Sequence, residues 1–185
     1  MTTSIKDGTG QGYQAEVDSD NRLLTRAIIE PAEHYANHDL GQSFSLYFNV
    51  TPTGAGDCFF YCKNTNTHDV IFEDLQVYVA SNEAIDVYLN NTGTPSGGTT
   101  LTEANLNTSS KKTLTATIQY GNDITGLTQA TQAVRYYVPA DSATHVFNFR
   151  GDIILAPQTT LTLYAVTGGI NMVGNFNCYI RSEVT

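Results

Sequence analysis

The sequence predicts an all-β protein. The expected fold is an antiparallel two-sheet β-sandwich of jelly-roll-like character over residues 41–185, preceded by an extended N-terminal arm over residues 1–40. Three observations carry that expectation. From Ser43 onward, about nine runs of strand length alternate apolar and polar residues or are largely apolar, each bounded by Asn, Gly, Thr or Pro. No stretch keeps a helical period beyond about two turns. Charged residues make up only 15% of the 185 residues, against about a quarter in ordinary globular chains. Thr, Asn, Gly and Tyr take their place, as in loop-rich β proteins whose outer faces are polar but weakly charged.

The arm comes first. It opens on polar residues with Gly8, Gly10 and Gly12 in a short spaced run. Ala15 and Val17 then alternate with polar neighbours, and Asp18-Ser19-Asp20-Asn21 is a turn signal before a second extended piece from Leu23 to Ile29. Its apolar side chains are too few to order it alone. Fixing a residue's backbone costs about 1–2 kcal/mol, whereas burying a large aliphatic side chain returns about 1.5–3 kcal/mol. Such a segment is expected to lie on something else, by pairing to a sheet edge of a neighbour or as an edge strand on its own sandwich. EPAEHYANHDLGQ (residues 30–42) allows one helical turn with Pro31 at its first position.

The strands follow in order. SFSLYFNV alternates around Phe44, Leu46 and Phe48. DCFFYCK, DVIFEDLQVYVA and AIDVYLNN come next, and NNTGTPSGGTT reads as a long flexible connection. TLTATIQYG alternates with Leu114, Ala116 and Ile118 on one side. AVRYYVPA, HVFNFRGDIILA, TTLTLYAVTG and FNCYIRSEVT complete the set. Many short strands joined by several long connections suit two packed sheets of a jelly roll.

The formal charge of −9 speaks against a nucleic-acid role, which requires clustered Lys and Arg. Lys111-Lys112 is the one adjacent basic pair and reads as a solvated turn. No apolar run approaches the length of a membrane-spanning helix, and the polar N-terminus lacks the apolar core of a signal peptide. Synthesis in a reducing cytoplasm is therefore expected. The three cysteines, Cys58, Cys62 and Cys178, cannot close a disulfide framework among themselves. They are expected to be reduced, buried thiols, with Cys58 and Cys62 on one face of a strand because they stand four residues apart.

Candidate chemistry is sparse. The Gly8-Thr9-Gly10-Gln11-Gly12 run lacks the flanking strand and helix of a phosphate-binding loop and has no Walker lysine. His34 and His38, near Glu30, Glu33 and Asp39, could share a helical face, but without the HExxH glutamate they read as exposed connector residues. His68 and His145 stand alone. No nucleophile elbow and no Cys-His pairing is evident, and acidic pairs such as Glu73-Asp74 and Asp18/Asp20 are ordinary in an acidic chain. No enzyme, metal or cofactor is expected. The 11 Tyr and 8 Phe, with no Trp, say more. In FFY and RYY, consecutive aromatics should face both sides of a sheet. One side serves the core, and the other needs cover from a second layer or a neighbouring subunit.

The opening residues, IKDGTGQGYQAEVDSDNRLLTRAI, resemble the start of a group of virion structural proteins of tailed bacteriophages. The resemblance rests on the DGTGxGY run, Asp7 to Tyr13, followed by a short alternating strand and the DNRL segment, Asp20 to Leu23. It covers about the first 30 residues closely and the rest in character only. It implies a virion component with a β-sandwich body, made in the host cytoplasm, with no catalytic residues to carry over. The expected role is a capsid decoration (cement) protein that stabilises a shell through contacts with copies of itself, as a trimer, and with the major capsid or other virion proteins. A head-fibre, tail or connector module that binds a receptor or carbohydrate is the alternative, against which the absence of Trp leans mildly. The interface is expected on the arm at Asp7, Gly8, Gly10, Gly12, Tyr13, Val17, Asn21, Arg22 and Leu23.

Overall fold

A computed structural model describes residues 32–181. It begins with helix α1 (Ala32–His38), followed by thirteen strands: β1 (Ser43–Val50), β2 (Cys58–Asn64), β3 (Val70–Val79), β4 (Glu83–Leu89), β5 (Thr92–Ser96), β6 (Thr99–Thr100), β7 (Ala104–Asn105), β8 (Ala116–Tyr120), β9 (Thr125–Thr128), β10 (Thr131–Val138), β11 (His145–Leu155), β12 (Thr160–Ala165) and β13 (Met172–Ile180). Pro31, expected to open the helix, lies outside the described residues. The helix ends where Gly41 enters the left-handed region at φ 60° and donates its N–H to the Asn37 carbonyl at 3.1 Å. A glycine is required there, because a Cβ would also stand 2.5 Å from the Ser110 side chain.

The sandwich is a jelly roll. One sheet runs β11-β3-β13-β1-β7, the other β10-β4-β12-β2-β8-β6, and β5-β9 forms a separate ribbon. Eight long strands make the frame. Among these eight, the chain crosses from sheet to sheet at β1 to β2, β2 to β3 and β3 to β4, has β4 and β10 both in the second sheet with β5 to β9 inserted between them, then crosses at each step to β13. Every pairing is antiparallel. The expected antiparallel two-sheet sandwich is therefore what the chain forms, and each sheet alternates core-facing and outward residues.

The alternation seen in the sequence of β1 delivers Phe44, Leu46, Phe48 and Val50 to the core, fully or almost fully buried. Across the sandwich they meet Phe60, Leu161 and Leu163, and along their own sheet Phe72, Leu75 and Phe176. Phe176 is the hub, with ring centroids 5.0 Å from Phe60, 5.1 Å from Phe72 and 6.1 Å from Phe149.

Residues 90–130, between β4 and β10, behave differently from the sequence expectation. NNTGTPSGGTT is not a free connection. It supplies β5 and β6, with β5 paired to β9 through Thr92 to Thr128 and Gly93 to Leu127. The pairing escaped notice because glycines, not apolar side chains, make it. Gly93 has φ 103° and lies so close to the facing strand that a Cβ would be 2.2 Å from the Gly126 carbonyl oxygen. The insertion seals one flank of the sandwich. Its β7 extends the first sheet beside β1, its β8 and β6 extend the second beside β2, and Leu101 and Leu114 plug the core between them. The ribbon also covers the outside of the second sheet, where Ile124 and Leu127 pack on Cys58, Tyr61 and Tyr164.

Two β-bulges redirect side chains. In β2, Leu163 faces Phe60 but Tyr164 faces Cys58, so Phe59 is an extra residue. Phe59 and Phe60 consequently both reach Phe48, at 5.7 and 5.8 Å between ring centroids. The bulge overturns one expectation and modifies another. Cys58 and Cys62 do not share a face, and FFY still faces both sides of the sheet, but with Phe59 and Phe60 both inward and Tyr61 outward. Cys62 lies in the main core, Cys58 in the outer cluster under the ribbon, because one inserted residue inverts the count of two. In β3, Asn177 of β13 faces Asp74 while Cys178 faces Phe72. Glu73 is thus the extra residue, and both carboxylates turn outward.

Candidate interaction surface

The arm residues expected to form the interface, Asp7, Gly8, Gly10, Gly12, Tyr13, Val17, Asn21, Arg22 and Leu23, lie outside the described residues, as do Asp18, Asp20 and Glu30. What the structure places is the surface of the body.

The flank opposite the insertion is formed by β10 and β11, each the last strand of its sheet. Tyr136 from one sheet stacks on Phe147 from the other at 4.2 Å between centroids, with Phe149 behind at 6.0 Å. These rings close the core on this side. Beside them Tyr137 is 73% exposed and Val146 59%. Of the RYY run, then, Tyr136 serves the core and Tyr137 has no cover among the described residues, whereas the outward Tyr61 of FFY is covered by the chain's own ribbon. Arg135, on the outer side of β10, donates from Nε and Nη2 to Asp86 at 2.6 and 2.7 Å. Gln132 Nε2 adds a third donor at 2.9 Å, so a carboxylate on the sheet face is fully matched by neighbours on the next strand.

The outer face of the first sheet is polar. Asn177 Nδ2 donates to Asp74 at 3.0 Å, Gln76 Nε2 to the same carboxylate at 3.3 Å, and Asn175 Nδ2 to Ser45 Oγ at 3.3 Å. Tyr47 stands beside this network, 59% exposed. Helix α1 packs against β13 and β1 with Ala36 buried, leaving a cleft on each side of it. One, of about 400 Å³, is lined by Tyr35, Leu40, Ile71 and Ile154 with Arg150 and Arg181. The other, of about 330 Å³, holds Glu33, Glu73 and Asp74. Burial, together with the charges of Glu33 and Asp74, raises the Glu73 carboxyl above its ordinary range, opposed by a hydrogen bond from Tyr179.

The other candidates of the sequence resolve simply. His34 lines the acidic cleft, while His38 sits exposed with Nδ1 2.8 Å from Asp39 Oδ1, so the two do not converge. Among the described residues no three His, Cys, Asp or Glu side chains come close enough to hold a metal ion. His68 engages Asn66 in a turn, and His145 Nε2 lies 2.9 Å from Asp141. Cys58, Cys62 and Cys178 are unpaired and buried. Burial pushes the Cys58 and Cys62 thiols up to about 12 and that of Cys178 well above its ordinary value, the opposite of a nucleophile's environment. No helix of the described residues is long and apolar enough to cross a membrane.

Sequence reasoning found the RYY aromatics but missed Val146, the clefts beside α1 and the outward turn of Glu73, since each depends on which strand lies at an edge or on a bulge. No protein-family model matches the chain, and no curated protein matches it.

Proposed function

We propose that the chain is a structural subunit of a bacteriophage particle, a capsid decoration protein that works by packing against copies of itself and against shell proteins. The observation that carries the proposal is the set of large apolar side chains left exposed on the body. Tyr137 stands outside one sheet, Tyr47, Val146 and Ile154 outside the other, and Leu106 on the insertion. Exposed aromatic and aliphatic side chains on several faces of one small body suit a subunit that is covered by neighbours. The resemblance of the first 30 residues to virion proteins supports the same reading, and the arm is its second contact. Light scattering of the full chain at micromolar concentration is expected to give a trimer, and quantitative mass spectrometry of purified particles a copy number comparable to that of the shell subunit. A monomer, both free and on the particle, would refute it.

A second reading has its own observation. The amide and carboxylate network of Asp74, Gln76, Asn175 and Asn177 beside the exposed Tyr47 suits hydroxyl-rich ligands, as on a fibre or tail module that binds a receptor glycan. A few copies per particle, with saturable binding on a glycan array, would favour it over the first.

A further inference from the structure

A sheet edge presents unpaired N–H and C=O groups, and proteins blunt such edges with short strands, bulges or charge. Three of the four edges of the two main sheets are blunted. Those of β6 and β7 are two residues long. That of β11 is broken, for its pairing jumps from Asn148 opposite Asp74 to Ile153 opposite Phe72, with Arg150 and Gly151 at φ 52° and 77° in the gap. The edge of β10 is left open. Its bulge falls early, between Gln132 and Val134, and Val134 to Val138 then pair with β4 without a break. The side of β10 away from β4 pairs with nothing among the described residues. Its one charged residue, Arg135, is matched by Asp86 at 2.6 and 2.7 Å, so no free charge guards this edge.

The open edge is also complementary to itself. Val134, Tyr136 and Val138 face the core, and Arg135 and Tyr137 alternate with them on the outside. The core-facing run reads the same in both directions about Tyr136. Two copies of β10 set antiparallel about Tyr136 place Val134 on the partner's Val138, Tyr136 on the partner's Tyr136 and Arg135 on the partner's Tyr137. Half-buried Val134 and Tyr136 gain a neighbour, and each guanidinium lies against a ring. Centring the pair on Arg135 instead sets two guanidiniums face to face, which is unfavourable. Centring it on Tyr137 puts Val134 opposite Ala140, beyond the strand. Centring it between two residues pairs core-facing side chains with outward ones.

We infer that β10 is a two-fold contact between copies of this chain, in which Val134–Val138 of each copy adds a strand to the other's second sheet. The inference rests on the reading of the chain as a subunit that packs against copies of itself, and it names one such contact. It is separate from the three-fold contact of the expected trimer and joins one trimer to the next. So short a contact is weak and transient.

The test follows backbone amide exchange of the full chain by mass spectrometry, from micromolar to near-millimolar concentration. Amides of Val134–Val138 should exchange several-fold more slowly at the top of that range, while those of β11 stay unchanged. Tyr137 is 73% exposed, so its variants should keep the melting temperature of the parent. Tyr137→Lys faces the partner's Arg135 and should weaken the pairing about fivefold, the effect of like charges set opposite one another. Tyr137→Glu meets the same guanidinium with the opposite charge and should pair at least as well as the parent. Protection of Val134–Val138 that does not change with concentration would show the edge covered within one chain and would overturn the inference. So would concentration-dependent protection on β11 instead, or equal effects of Lys and Glu at position 137. Light scattering separates this from the wider proposal. A trimer whose β10 amides exchange alike at every concentration would sink the edge contact alone, while copies that pair through β10 yet never join particles would sink the subunit role.

Discussion

Replacing Phe176 by Ala should be among the costliest single changes in the body. The side chain is fully buried and its ring meets Phe60, Phe72 and Phe149 at 5.0, 5.1 and 6.1 Å. A buried Phe→Ala change costs about 3–5 kcal/mol from lost transfer energy and the cavity left behind. Each aromatic pair adds about 0.5–1.5 kcal/mol beyond area, and three are lost here, so the upper end, ~5 kcal/mol, is expected. Phe176→Leu keeps most of the volume and forfeits mainly the ring pairs, for about 2 kcal/mol. Domains of this size shift in melting temperature by about 2–4 °C per kcal/mol, so the alanine variant should melt roughly 10–20 °C lower. Urea unfolding followed by near-ultraviolet circular dichroism measures both, with Phe147→Ala on the half-covered flank as the milder comparison. If Phe176→Ala lost under ~2 kcal/mol, or Leu and Ala variants were equal, the ring cluster would not be the centre of the core.

Other outcomes follow from the same packing. Gly174→Ala would set a Cβ 2.4 Å from the Gln76 carbonyl oxygen and 2.8 Å from Phe48 Cζ, so a loss of about 1–3 kcal/mol from overpacking is expected in denaturant titration; no loss would place Phe48 elsewhere. Glu83 is buried and accepts N–H bonds from Ala84, Thr167 and Gly168 at 2.8, 2.8 and 3.0 Å. Glu83→Ala should therefore cost about 3 kcal/mol and Glu83→Gln clearly less, and equal losses would show that the acceptors do not matter. Ile124→Asp should lift the ribbon from the second sheet and make Cys58 alone reactive to a thiol reagent, with Cys62 and Cys178 still protected; labelling of all three, or of none, would contradict the two separate clusters. Burial raises the folded thiols, so the stability they contribute is whole below the unfolded thiol value of about 8.5 and is lost as pH rises toward 12. The urea midpoint should thus fall between about pH 8 and pH 11, and less steeply in a Cys62→Ala, Cys178→Ala double variant.

Much of the frame was legible because period-two alternation depends only on which face is wet. Phe44, Leu46 and Phe48 declare β1, and the turn residues around β3, β4, β11 and β12 mark their ends. Inserted residues were not legible. Nothing in DCFFYCK says that Phe59 is a bulge, yet that one residue parts Cys58 from Cys62. The same holds for Glu73, an unremarkable acid in sequence whose outward turn makes the cleft. The β5 and β9 ribbon hid for another reason, since backbone pairing through Gly93 and Gly126 leaves no hydrophobic trace. Asn37 and Ser43 stand six residues apart yet meet at one wall only after the Gly41 turn folds the helix back onto the sheet, which is a tertiary event.

The sealed flank also bears on symmetry. Head-to-tail addition of sheets, the heterologous route to open filaments, requires two long complementary edges on each copy. Among the described residues the two main sheets offer long edges at β10 and β11, for their opposite edges end in β6 and β7, strands of two residues each, too short to template another sheet. A sheet continued across a β10 or β11 edge therefore ends at the partner's far flank, where the edge strands are short. A three-fold ring of these subunits would be built from side chains, loops and arms rather than from one continuous sheet.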